Sequence, residues 1–260
     1  MAVIRPFKAL RPDKKAAHLV ASVPYDVVNR DEAALYAEDF PNSFLRITRA
    51  EIEMDKSVNP YSKEVYQKAK ENLARIRKEA PLKLESSPRF YLYKLVMGKQ
   101  EQTGIAATFS IDDYENNVIM KHEKTRKEKE DDRTNHIITT EAQTGPVFLT
   151  YKGVEAVNTI VEDIKKKDDP VYDFTAPDGV KHTIWILPEK FNEAIVSEIA
   201  KVKNLYIADG HHRAASAARA RQVKRENNKS HNGNEEYNYF LAVLFPAEEL
   251  KILPYNRVVL

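Results

Sequence analysis

Two strand-length apolar runs, residues 89–96 and 102–111, are separated only by a short connection through Gly98 and Lys99. A connection that short joins antiparallel neighbours, because a parallel crossover needs about a dozen residues or more. Pro177-Asp178-Gly179 sets a second tight turn between residues 171–176 and 180–187. Antiparallel hairpins therefore exclude an all-parallel, doubly wound sheet. Around them the pattern alternates. Extended runs are expected at 3–10, 22–28, 43–48, 205–208 and 237–245. Helices are expected at 31–39, 62–80, 153–167, 191–202 and from His211 to about Glu226. In the clearest of these, Val65, Ala69, Leu73 and Ile76 recur at helical spacing, Ser62 stands at the N-cap and Pro81 ends the run. The fold class is mixed α/β (α+β) with antiparallel hairpins.

At 260 residues the chain can bury a full core without staples. A loose boundary at 112–115 would divide an N-terminal α/β subdomain, residues 1–112, from a second domain, residues 113–260. No linker composition marks it, and one integrated domain is the alternative. Cysteine is absent, which excludes disulfides, a thiol nucleophile and thiolate metal sites and fits a reducing, cytoplasmic setting. Lys and Arg number 41 against 39 Asp and Glu, too balanced for a protein that coats nucleic acid. No apolar run approaches the roughly 18–20 residues of a membrane helix. Arg5 and Lys8 interrupt the N-terminal apolar stretch, which reads as a first strand and not a signal peptide. Residues 252–260 are apolar, as a terminal strand or a natural continuation of the chain would be. There is no P-loop, dinucleotide fingerprint, HExxH helix or GxSxG elbow.

Two segments break local rules. Around Asp209-Gly210-His211-His212-Arg213 a strand ends, the chain turns at Gly210 and a helix begins. Cations in a first helical turn oppose the helix dipole by roughly 0.3–1 kcal/mol each at exposed sites. A bound anion would reverse the sign, since free backbone N–H groups, the dipole and Arg213 would all face it. Removing Arg213 should then relieve the ligand-free protein. Gly210 lets the backbone approach a ligand closely. Asp209 could cap the helix, hold Mg²⁺ or orient a histidine. The simpler alternative is a capped helix with two half-exposed histidines.

In residues 121–133, eleven of thirteen side chains are charged. Such runs are ordinarily solvated helix faces. Here Thr125-x-x-Glu128 reads as a capping box that starts a helix after Thr125. That leaves His122 and Glu123 at a strand-to-helix corner. Arg126, Lys129, Arg133 and His136 then form one basic stripe beside a candidate general base. Pro24-Tyr25-Asp26 puts an acid on a bend, and Gln143 reads as structural.

These motifs, joined with Pro6-Phe7-x-Ala9-Leu10-Arg11-Pro12, Pro24-Tyr25-Asp26-Val27-Val28, Gln102-Thr103-Gly104, Gln143-Thr144-x-Pro146-Val147-Phe148 and the stretch from Ala208 to Ala218, resemble the bacterial family catalogued as domain of unknown function 1015. The resemblance covers nearly the whole chain. The helix-entry motif also resembles the phosphate-binding corner of free-serine kinases, which share the fold of the chromosome-partitioning ParB proteins and sulfiredoxin. It implies a ParB/sulfiredoxin-like core and a kinase that moves a phosphoryl group from ATP or ADP to free L-serine with Mg²⁺. Glu123 matches the general base, and Asp209 the acid that works with Mg²⁺ and the substrate hydroxyl. Gly210, His211, His212 and Arg213 match the phosphate cradle. Arg126, Lys129 and Arg133 are added for the nucleotide, and Asp26 and His122 for the amino acid. This chain departs from the kinases in the long stretch, residues 151–204, between its two motifs. A non-catalytic, ParB-like nucleotide switch is the alternative. The partners implied are a nucleotide and an amino acid, with a homodimer left open and no membrane or nucleic acid.

Overall fold

In the computed structural model, which describes residues 1–253, the chain opens with strands β1 (Ile4–Arg5) and β2 (Leu10–Arg11). Helices α1 (Ala17–Val20), α2 (Arg30–Ala37), α3 (Leu45–Thr48) and α4 (Lys63–Glu79) follow, then β3 (Lys83–Leu84), β4 (Tyr91–Met97) and β5 (Gln100–Ser110). The remainder runs α5 (Ile111–Glu115), β6 (Ile119–Met120), α6 (Lys127–Thr140), β7 (Val147–Tyr151) and α7 (Glu155–Lys167). It continues through β8 (Tyr172–Thr175), β9 (Lys181–Ile186), α8 (Asn192–Ala200), β10 (Leu205–Asp209), α9 (His211–Glu226) and β11 (Tyr239–Pro246).

Both expected hairpins form. Met97 pairs with Gln100, leaving Gly98 and Lys99 as the loop, with Gly98 at φ 59°. The β8–β9 turn puts Gly179 at φ 81°. Among the described residues, nine strands make one mixed sheet in the order β6-β10-β7-β11-β5-β4-β9-β8, with β1 beside β5. The β6–β10 and β7–β11 pairs are parallel and the others antiparallel. Phe90, Leu92, Phe109, Leu149 and Phe240 are wholly buried in the core, joined by Val157, Val161 and Ile164 of α7 and Ile195 and Ile199 of α8. Each such burial is worth roughly 1.5–3 kcal/mol. The anticipated boundary at 112–113 falls inside α5. Across it, β11 pairs with β5 from Tyr239↔Ser110 to Leu244↔Ile105, so the two halves share a sheet and a core.

Several local expectations are corrected. Residues 43–48 were expected to be extended, but α3 occupies Leu45–Thr48. Leu45 packs with Ala33 and Ala37, and Ile47 with Val20 and Ile76. An apolar run this short carries no period that separates helix from strand, so tertiary packing decides. Ser62 does sit at the N-cap of α4, yet its hydroxyl meets Glu64 at 3.3 Å and no backbone N–H. The capping box at Thr125 does not form either. Arg126, not Thr125, holds the N-cap position of α6 and makes no side-chain cap bond, and the Thr125 hydroxyl bonds Glu130. The apolar run at 252–260 lies, from 254 on, outside the described residues. No helix among the described residues is long and apolar enough to cross a membrane.

Helices α4, α6 and α9 pack together as one layer. Helix α9 buries Ala214, Ala215, Ser216 and Ala217, side chains small enough to let α6 approach closely. Ser216 Oγ donates to the His212 carbonyl of its own helix at 2.6 Å and lies 3.2 Å from the Glu130 carbonyl, so the two helices touch near their N-termini. On the other side of α6, the Tyr66 hydroxyl of α4 donates to buried Asp132 at 3.0 Å.

Candidate functional site

Strands β6 and β10 are parallel neighbours, paired Ile119↔Leu205 and Met120↔Tyr206. Their C-terminal ends therefore open at one edge of the sheet, the place where α/β proteins commonly build sites. Beyond β6 the chain carries His122 and Glu123. Beyond β10 it carries Gly210 and α9. A register shift between Ile207 and Asp209 marks a bulge against β7, a device that re-aims the side chains that follow it. Gly210 has φ 94°, and a Cβ there would stand 3.1 Å from Cζ of Arg213. A side chain there would strain the turn and press on the guanidinium lying over it.

The two histidines of the turn are occupied. The Nε2 of His211 accepts the backbone N–H of His122 at 3.4 Å, and the Nε2 of His212 accepts that of Arg126 at 3.1 Å. With Nε2 accepting, the His211 proton sits on Nδ1, which lies 3.5 Å from Glu123 Oε2. The His122 and His211 rings meet edge to face, 4.4 Å between centroids. Burial, aided by the neighbouring His122 and His212, pulls the His211 pKa below its ordinary value, so the ring is neutral near pH 7. The basic first turn is thus milder than its sequence suggests, and Arg213 is the firm cation in it. Its guanidinium bonds the Asp209 carboxylate and the Pro146 carbonyl and stands 3.8 Å from Asp26. Its Nε is buried and, among the described residues, has no hydrogen-bond partner. Glu123 is 56 % exposed and Asp209 67 %, so both carboxylates are open to a ligand.

A groove of about 710 Å³ opens beside this corner, between residues 25–69 and α6. Arg126, Lys129, Arg133, Asp26 and His212 line it. Glu123 and the rest of the 209–213 turn stand outside it, joined through His212 and through Asp26 beside Arg213. Of the expected basic stripe, His136 also lines the groove but is not basic there. It is buried, its Nε2 donates to the Ile47 carbonyl at 3.0 Å, and burial lowers its pKa to about 3. Arg133 is held over the Tyr25 ring at 4.3 Å and paired with Asp132 at 2.8 Å. Lys129 reaches the Tyr61 hydroxyl at 2.8 Å, while Arg126 is exposed.

The model of a family described as proteins of unknown function, DUF1015, matches residues 4–260. The chain belongs to the DUF1015 family. No curated protein and no solved structure matches it.

Within this DUF1015 chain the motifs separate into two kinds. Gln143 fastens β11, its Nε2 donating to the Tyr239 carbonyl at 2.8 Å and its Oε1 accepting the Leu241 N–H at 2.6 Å. Gly104 lies where any Cβ would stand 2.8 Å from Phe245 and Val243. Both are structural. In contrast, Tyr25-Asp26, His122-Glu123 and the 209–213 turn converge on one corner. Sequence reasoning missed Arg49, Lys56 and Tyr61, which line the far wall of the groove. They stand in no motif, in the stretch between α3 and α4 that the fold lays against α6.

Proposed function

We propose that this DUF1015 protein is a small-molecule kinase with a ParB/sulfiredoxin-like core, transferring a phosphoryl group from ATP or ADP to the hydroxyl of free L-serine. The observation that carries the reading is the 3.5 Å approach of Glu123 to His211 at the N-terminus of α9, beside a cation-lined groove.

Phosphoryl transfer asks a protein mainly for positioning and charge neutralisation. The backbone N–H groups of residues 211–213 and the Arg213 guanidinium receive phosphate oxygens. The idle, buried Nε of Arg213 suits that role, because an anion would give it an acceptor. His211 and His212 hold the cradle and the Glu123 segment together through their Nε2 bonds. Asp26 and His122 are the groups nearest for the amino acid. Glu123 takes the proton from the serine hydroxyl. The hydroxyl oxygen attacks the terminal phosphorus, the new O–P bond forms, and the P–O bond to the nucleotide breaks. ADP leaves from ATP, or AMP from ADP.

The residues present fit Mg²⁺, which usually takes one or two carboxylates together with phosphate oxygens and water. Asp209 offers an exposed carboxylate, and among the described residues no cluster of three or more His, Asp or Glu forms an all-protein cage. Bound at Asp209, the ion would supply charge neutralisation on the transferring phosphate.

The test is to incubate the protein with ATP or ADP, Mg²⁺ and a mixed pool of amino acids and to identify new phosphorylated metabolites by mass spectrometry. Phosphoserine supports the reading. Nucleotide binding with no phosphorylated product replaces it with a binding switch.

A further inference from the structure

The groove is far larger than free serine requires. At about 710 Å³ it falls within the roughly 300–1,000 Å³ typical of sites for drug-sized ligands. Six Lys and Arg side chains line it against three Asp and Glu. Arg30 is taken up by the carbonyls of Glu51, Met54, Asp55 and Lys56, and Arg133 by Asp132 and the Thr48 carbonyl, but part of the remaining charge is only partly satisfied. Arg49 has its buried Nε 3.0 Å from Glu51 Oε1 but not aligned to donate a hydrogen bond. Among the described residues Lys56 is paired with exposed Asp31 alone, across a bridge whose two side chains are 80 % and 75 % exposed. Tyr61 stands at the rim, 37 % exposed, with Lys129 over its ring at 5.3 Å.

Resting on the kinase reading above, we propose that this groove seats the nucleoside polyphosphate donor, and that its far wall, Arg49, Lys56 and Tyr61, belongs to the nucleotide site. Size and charge decide for the donor over the acceptor. A zwitterionic amino acid would leave most of the volume and most of the cations unused. A nucleotide brings several negative charges for Arg49, Lys56 and Arg126, and a flat base for the Tyr61 ring. The helical segment of residues 25–69 thereby acquires a function: it supplies half of the donor site. The acceptor then binds at the exposed Glu123 side of the corner, with Asp26 at the junction between it and the groove.

The experiment is calorimetry of the whole protein with ATP, ADP and inorganic tripolyphosphate, on the parent and on Tyr61→Ala, Lys56→Gln and Arg49→Gln. Circular dichroism melting checks each variant, and Tyr61 and Lys56 are exposed enough for the fold to stand. Removing one stacking aromatic should weaken ATP and ADP by at least about fivefold while leaving tripolyphosphate unchanged. Lys56→Gln should weaken all three, and Arg49→Gln should do so wherever its melt matches the parent. If the parent binds nucleotide and Tyr61→Ala and Lys56→Gln bind it equally well, the groove assignment falls and the kinase reading survives. If the parent binds no nucleotide, both fall.

Discussion

The ring Nε2 of His212 accepts the backbone N–H of Arg126 across 3.1 Å, tying the first turn of α9 to the start of α6, 86 positions earlier in the chain. A capping-box glutamate would ordinarily satisfy the N-cap N–H. Here a histidine from another helix does so, and it can only while Nε2 carries no proton. The same helix turn thus holds the segment that bears Glu123.

His212→Leu should therefore free the Arg126 N–H and loosen residues 122–127. Lost caps cost about 0.5–2 kcal/mol, a fall of a few degrees in melting temperature for a chain of this size. Amide exchange at Arg126 should accelerate while the sheet amides of β5 stay protected. Unchanged exchange at Arg126 would mean the histidine is not its partner in solution.

Arg213→Ala changes sign relative to the sequence expectation. A lone cation at a helix N-terminus should be better removed, but Arg213 bridges Asp209, the Pro146 carbonyl and the Asp26 loop. Its loss should destabilise the ligand-free protein by about 1 kcal/mol, discounted because Asp209 is largely exposed. Nucleotide affinity should fall as well. An unchanged or raised melting temperature would restore the simple dipole argument.

His136 makes acid stability readable. Its pKa is about 3 in the folded chain against an ordinary 6.5, because burial disfavours the charged ring. The unfolded chain takes up the proton first. The stability held by the neutral ring is therefore intact above about pH 6.5 and lost progressively as pH falls toward about 3, on the order of a few kcal/mol in all. His136→Gln keeps a donor for the Ile47 carbonyl and cannot charge. Its melting temperature should decline less than the parent's between pH 7 and pH 4. Parallel declines would remove His136 as the cause.

Much of the scaffold is legible locally. The turns at Gly98 and Gly179 announce their hairpins because backbone sterics there favour glycine, and α9 spans His211–Glu226 as its pattern implies. The convergence of Glu123 with His211 follows from two strand-to-helix corners, although their parallel pairing is invisible in the sequence. What is not legible is where hydrogen bonds go. His211 and His212 look like cations beside a dipole, yet each ring Nε2 accepts a backbone N–H, and burial lowers the pKa of His211. Arg49, Lys56 and Tyr61 share no spacing with the corner, and only the fold assembles their wall.

The central claim is that Glu123 is the base that activates a hydroxyl for phosphoryl transfer, and Glu123→Gln tests it while keeping the side chain's shape. Phosphoserine formation from ATP or ADP and free serine should fall about 10²–10⁴-fold with nucleotide affinity nearly unchanged. A Glu123→Gln protein that phosphorylates serine at the parental rate, or a parent that forms no phosphoserine from either nucleotide, would contradict the account.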